Sequence, residues 1–378
     1  MELLEHATSQ FGVRVIMDNE DLYGDLVRGF FSEQFPTIVP ADKATKLDLV
    51  TSAIIGTGQV RLGPQPNPES HVAIRAVVQR AIDRNQPIPV LTPWGSKKPR
   101  NGVSVDIAEV AALKQLACLQ ERVQRYHNPG LRLVIRVEDA SGYYLFGDEL
   151  NCRPSIDTYS RDFVKLVRVL GLGFIEPLLE TNLFDAQKYA DMTDALVPTM
   201  EQYISETDAF GFDGWQERES RRRLHDFFPA FQGEIPREQR DYYRGLYKKL
   251  FPGIGPAEAT HKLARYLSSA IVRNKIRGRG DDPSWEGKYL QVTFAPPIPG
   301  APAGTVSRFL YYRTLPTSMG TTHIPPWRAK GYLRMDGRRA TPKIASWSDI
   351  PSGLVPCSVR LTNSNEALSI TTDYLVAD

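Results

Sequence analysis

Two short segments hold side chains suited to acid–base and anion chemistry. The first, 92–102, gathers Ser96, Lys97, Lys98 and Arg100 among Pro93, Gly95 and Pro99. An apolar stretch carrying Ile88, Val90 and Leu91 precedes it, and a long helix opens near Asp106. A strand that passes its chain through a basic loop to a helix N-terminus makes a concave place for an anion, because unpaired N–H groups and the helix dipole add to the side-chain charge. The second segment is Glu138-Asp139-Ala-Ser-Gly142. It follows the β-branched and apolar run 131–137, and its carboxylates can bind an amine and move protons. Each segment also has a plainer reading. The prolines and Gly95 can simply shape a solvated loop, and Asp-Ala-Ser-Gly can be an acidic turn leading to a return strand over 143–146.

Further candidates lie elsewhere in the chain. His323 shares a rigid proline-rich segment with Arg328 and Lys330, and an imidazole there can shuttle a proton or stay structural. Arg61 fronts an extended stretch with three prolines, where it can reach a ligand or serve as a surface cation. Asp106 and Glu109 fall in the first turn of their helix, and their simplest role is capping. Arg273, Lys275, Arg277 and Arg279 close a helix, where cations partner the dipole.

These groups must be positioned by a particular order of elements. Apolar spacing predicts helices over 19–35, 46–55, 69–84, 106–126, 157–170 and 257–275. Strands are expected near 88–91, 131–137, 289–294, 308–313 and 357–362. Strand, long helix, strand over 88–137 is a βαβ unit with a parallel sheet, whose ligands bind beyond the carboxyl ends of the strands. The fold class is therefore α/β: a Rossmann-like, mostly parallel sheet flanked by helices, with an additional helical segment and a β-rich C-terminal third extending the same sheet. The expected divisions are an N-terminal helical layer over 1–60, an α/β core with the basic loop over 61–183, a helical insertion or lid over 184–256, and a helix plus strands completing the core over 257–378.

The chain has 378 residues, enough for one large domain or two smaller ones. Hydrophobic residues at 42% and charged residues at 24% are ordinary for a globular protein, which excludes a disordered or fibrous class. No window reaches the ~18 apolar residues of a membrane span, and the start lacks a basic region followed by an apolar core, so the expected place is the cytoplasm. With 46 Lys plus Arg against 44 Asp plus Glu, no global field marks a nucleic-acid coat. Binding of nucleic acid or nucleotides through 273–279 and 334–339 remains a competing reading, as does a catalytically silent α/β module. Three widely spaced cysteines, Cys118, Cys152 and Cys357, fit neither a disulfide framework nor a zinc cluster.

The order "PIPVLTPWGSKKPRNG", "VDIAEVAALKQLACLQERV", "NPGLRLVIRVED" and the late "IPPWR" resembles the isocyanide (isonitrile) synthases, related to enzymes of pyoverdine and dityrosine biosynthesis. The basic loop and acidic segment differ from the family's usual wording, with Gly95-Ser-Lys-Lys-Pro-Arg and Glu138-Asp-Ala-Ser-Gly at those places. The resemblance implies transfer of one carbon from a pentulose phosphate, ribulose 5-phosphate, to the amine of an amino acid, without a metal or redox cofactor. It implies a phosphate cradle of Ser96, Lys98, Arg100 and Arg328, and catalytic groups Lys97, Glu138, Asp139 and His323. Arg61 would contact substrate. A phosphosugar enzyme joining its sugar to another amine is the alternative within the same site.

Overall fold

In a computed structural model, the structure describes residues 13–15, 44–55, 68–95, 105–147, 153–229, 235, 237–276, 288–293, 309–311, 315–316, 323–324, 326–336, 339–346, 350–362 and 366–376. The expected helix over 19–35 lies outside them. The chain divides into two compact units. One takes in Met1–Leu179, Lys288–Pro296 and Val306–Asp378, and the other Glu180–Gly287 and Pro297–Thr305.

The first unit is built on an all-parallel sheet ordered β4-β3-β2-β5-β6. Its strands are β2 (Ile88–Gly95), β3 (Leu131–Glu138), β4 (Ile175–Leu179), β5 (Leu290–Thr293) and β6 (Phe309–Tyr311). β2 and β3 pair along their whole length, from Ile88 opposite Leu131 to Gly95 opposite Glu138. Pro89 and Pro93 donate no ladder bond, and β5 meets β2 only at Val90 and Leu91, between the two prolines. Alternate residues of each strand, Val90, Thr92 and Trp94 beside Leu133, Ile135 and Val137, share one face because side chains repeat with period two.

Against that face lies α3 (Ile107–Gln124), joining β2 to β3. It follows α1 (Lys46–Ile55) and α2 (Pro68–Asp83), which pack on each other. Most of α3 is buried, including Ala111, Leu113, Leu116 and Val123, as a helix covered on opposite sides requires. Its second cover is a sheet ordered β1-β11-β12-β9-β10. The strands are β1 (Val13–Val15), β9 (Ala329–Asp336), β10 (Arg339–Ser346), β11 (Val355–Thr362) and β12 (Ala367–Val376). Leu333, Ile344, Val359, Leu361 and Ile370 from this sheet join the α3 side chains in one core. A two-stranded ladder of β7 (Leu315–Pro316) and β8 (His323–Ile324) completes the β structure among the described residues.

The α/β class thus stands, with two corrections of detail. The C-terminal third does not all extend one sheet: β5 and β6 join the parallel sheet, while β9–β12 make a second sheet on the far side of α3. No hairpin follows β3 either. The chain turns at once into α4 (Asp139–Gly142) and a π-helical turn, Tyr143–Gly147. The next helix is α5 (Arg153–Val169), whose Tyr159, Phe163 and Leu166 enter the core.

The second unit holds α6 (Ala186–Trp215), α7 (Glu219–Phe227), α8 (Arg237–Leu250) and α9 (Pro256–Ile276). α6 kinks at Gly211, whose φ of 72° is open to glycine. Tyr189 of α6 bonds Ser269 of α9, and Asp208 pairs with Arg240 and Arg244 of α8. Arg223 pairs with Glu219 at 2.6 Å on a half-exposed face. No helix among the described residues is long and apolar enough to cross a membrane.

Candidate active site

The parallel register fixes one placement firmly. Gly95 ends β2 directly beside Glu138, which ends β3, so the segment holding Ser96, Lys97, Lys98 and Arg100 leaves the sheet next to the acidic pair. Those four residues and Arg61 lie outside the described residues. His323 is described in its backbone, in β8 paired with Pro316. Arg328 is likewise described in its backbone, in the 3-10 turn Pro326–Arg328. That turn reaches the end of β2 through Trp327. A methyl at Gly95 would lie 2.8 Å from the indole of Trp327, so only glycine leaves room for the ring. Trp327 also packs on Trp94, with ring centroids 5.7 Å apart.

The end of β2 is a closed joint. Asp106, the N-cap of α3, accepts from the Ala108 N–H at 2.8 Å, and Glu109 Oε2 accepts from the Asp106 N–H at 2.9 Å. The two form a capping box, and both are fully buried. Trp94 donates its indole N–H to the Tyr159 hydroxyl at 2.8 Å, and that hydroxyl donates to Glu109 Oε1 at 3.4 Å. Burial, then the Glu109 charge, pushes the Tyr159 phenol well above its ordinary range. β9 seals the joint. A methyl at Gly331 would sit 2.6 Å from the Ala108 nitrogen and 2.9 Å from Asp106 Oδ1.

This corrects the expectation that the N-terminus of α3 helps to hold an anion. Its first turn is already neutralised by two carboxylates of its own chain and covered by a strand.

The end of β3 is more open. Glu138 keeps a fifth of its side-chain surface exposed, and its Oε1 lies 3.3 Å from Nη2 of Arg136, two residues back on the same strand face. Asp139 is buried, 1% exposed, in the first turn of α4. Half-buried Tyr143 donates its hydroxyl to Asp157 of α5. Burial, the Asp157 hydrogen bond and the charges of Asp157 and Asp139 together push the Tyr143 phenol up. Two carboxylates of unequal exposure, one paired with a cation and one near a protonated phenol, can take a proton from an amine and return one to a departing oxygen.

The structure thus brings Glu138, Asp139 and the turn of Arg328 to one end of the parallel sheet, at the exit of the basic segment. Sequence reasoning missed six participants. Arg136 was readable, since it lies two places before Glu138 on a strand. Trp327 lay within a segment singled out for its neighbours. Tyr143 with Asp157, and Tyr159 with Trp94, are joined across 14 and 65 residues and left no local signal. A separate cleft of about 410 Å³ in the helical unit, lined by Phe184, Asp185, Lys188, Met192, Lys275 and Ile276, takes in Lys275 of the cationic helix end and none of the residues expected to hold a phosphosugar. Among the described residues, no group of three or more His, Cys, Asp or Glu side chains is placed to hold a metal ion.

No protein-family model and no curated protein matches the chain. Among solved structures, the chain is similar to the crystal structure of the PvcA protein from Pseudomonas aeruginosa. The two are 13% identical, with 88% of this chain and 100% of that one covered, and the TM-score is 0.48. A likeness of that degree says nothing about activity.

Proposed function

We propose that this chain is an isocyanide-synthase-like enzyme that condenses the amine of an amino acid with a pentulose phosphate, ribulose 5-phosphate, to form an isonitrile. One observation carries the reading: Gly95 and Glu138 are register partners at the carboxyl ends of neighbouring parallel strands. A basic segment and an acidic pair therefore leave the sheet side by side, where open α/β sheets bind ligands. The resemblance of the strands and helix that flank these two segments, over 87–95, 105–123 and 128–137, supports it.

In this reading Ser96, Lys98 and Arg100 hold the phosphate by charge and hydrogen bonds, with Arg328 reaching in from its turn. Glu138 takes a proton from the substrate ammonium, freeing the amine to attack the sugar carbonyl. Asp139, Lys97 or His323 then returns a proton to the departing hydroxyl as the imine forms, and the two carbon–carbon bonds of the former carbonyl carbon then break, so that this carbon stays on nitrogen and the rest of the sugar leaves as fragments. Arg61 contacts the substrate. The reaction calls for a phosphosugar co-substrate and no metal or redox cofactor. We place the enzyme in the cytoplasm, in keeping with the free thiols of Cys118 and Cys357.

Labelled ribulose 5-phosphate incubated with a panel of amino acids tests the proposal. Label recovered in an isocyanide supports it. Label retained in a larger adduct shifts the reading to a different phosphosugar-dependent amine modification, and no transfer to any amine overturns both.

A further inference from the structure

The acidic pair sits on a piece of backbone that cannot hold itself in place. α4 is four residues long, far below the roughly 12 residues at which a helix stands alone in water. Its N-cap, Glu138, has φ −85° and ψ 54° and makes no side-chain capping bond, its carboxylate being turned to Arg136. The segment continues as a π-helical turn, a geometry seldom adopted without tertiary support and frequent at functional sites. Something outside the segment must fix it.

The anchor is α5. Asp157 accepts the Tyr143 hydroxyl. Arg153 lays its guanidinium over the Tyr143 ring, 6.0 Å from the centroid. The aliphatic stem of Arg153 closes on the far end of the turn, where a methyl at Gly147 would lie 3.0 Å from Arg153 Cγ. α5 is itself immobilised, because Ile156, Tyr159 and Phe163 on its other faces are buried and Tyr159 is bonded to Trp94. Tyr143 therefore links a weak turn to a rigid helix.

We infer that Tyr143, held by Asp157, is a positioning residue for Glu138 and Asp139, fixing the turn that aims the two carboxylates. The inference rests on the proposed roles of that pair and deepens them. Tyr143 need not touch substrate. Its hydroxyl is committed to Asp157, and the phenol stays protonated because burial and two carboxylates disfavour its charge.

The experiment pairs amide hydrogen exchange with steady-state kinetics on the full chain, comparing wild type, Tyr143→Phe, Asp157→Ala and Asp157→Asn. Tyr143→Phe and Asp157→Ala are expected to speed exchange in 138–147 by about tenfold or more, leaving the amides of α3 at wild-type rates. Both should lower kcat by at least about tenfold, since small misplacements of reacting groups cost up to ~10²-fold. KM for ribulose 5-phosphate should stay within about twofold, because the phosphate is held from the β2 side. Asp157→Asn keeps an acceptor oxygen and should rescue both readouts.

Unchanged exchange in 138–147 in Tyr143→Phe and Asp157→Ala overturns the inference whatever the kinetics. Loosened exchange with unaltered kcat overturns the positioning role. A wild-type protein that turns over no phosphosugar with any amine sinks the functional reading instead, and the exchange data still decide whether Tyr143 anchors the turn.

Discussion

β2 and β3 run side by side and stop in register, yet they hand on their chain in opposite ways. β2 ends in a sealed joint where Trp94, Tyr159, Glu109 and Asp106 are buried and bonded to one another, with Gly331 of β9 against the first turn of α3. β3 ends in a short turn with a partly exposed carboxylate, held from outside through Tyr143. The lesson is a division of labour. One strand end commits both of its carboxylates to a capping box, and its neighbour leaves one of its two, Glu138, partly exposed at the rim. Two acidic residues at a helix start and two at a strand end look alike in a sequence, and the capping bonds of the first pair and the exposure of Glu138 in the second separate them.

The contrast can be broken most forcefully at Gly331. Gly331→Ala sets a methyl against the backbone of α3, which cannot give way cheaply, and should cost about 3 kcal/mol. The unfolding midpoint should fall by several degrees, and a thermal scan matching wild type would show that the β2 joint is loose. Glu138→Gln, by contrast, should leave that midpoint nearly unchanged while lowering kcat for amine consumption by about 10²-fold. A stability loss there comparable to that of Gly331→Ala would erase the distinction between the two ends.

Tyr159→Phe strands the Trp94 N–H and one Glu109 oxygen in the core, an expected loss of about 2 kcal/mol read from chemical denaturation. The smallest effect is alkaline. The folded values of Tyr143 and Tyr159 lie above the ordinary tyrosine value, so their contribution is fully present below about pH 10 and lost as pH rises through the folded values. Tyr143→Phe should flatten part of that decline, and an unaltered alkaline profile in that variant would contradict the placement of its phenol.

Much of the frame was legible. The apolar runs of β2 and β3 and the stripe of α3 follow from periodicity, and the capping role of Asp106 from its place before a helical pattern. The turn after β3 was not. Tyr143-Tyr-Leu-Phe146 has the composition of a strand, but no strand among the described residues pairs with it, and Asp157 captures its first side chain. The second sheet escaped for a related reason. β10 carries Arg339, Lys343 and Pro342, and such a strand is tolerated because it lies at a sheet edge. Of the site, Glu138 and Asp139 could be placed from the strand that precedes them. Trp327 could not, because it reaches Gly95 through packing across 232 positions of sequence.

The central claim is that the segment leaving β2 and the carboxylates ending β3 serve one bound phosphosugar. A crystal structure of the protein soaked with ribulose 5-phosphate measures this directly. The account predicts the phosphate against Ser96, Lys98, Arg100 and Arg328, with Lys97 and Glu138 beside the sugar carbonyl. A sugar bound elsewhere, or Lys97 and Lys98 directed away from the end of β3, would contradict it.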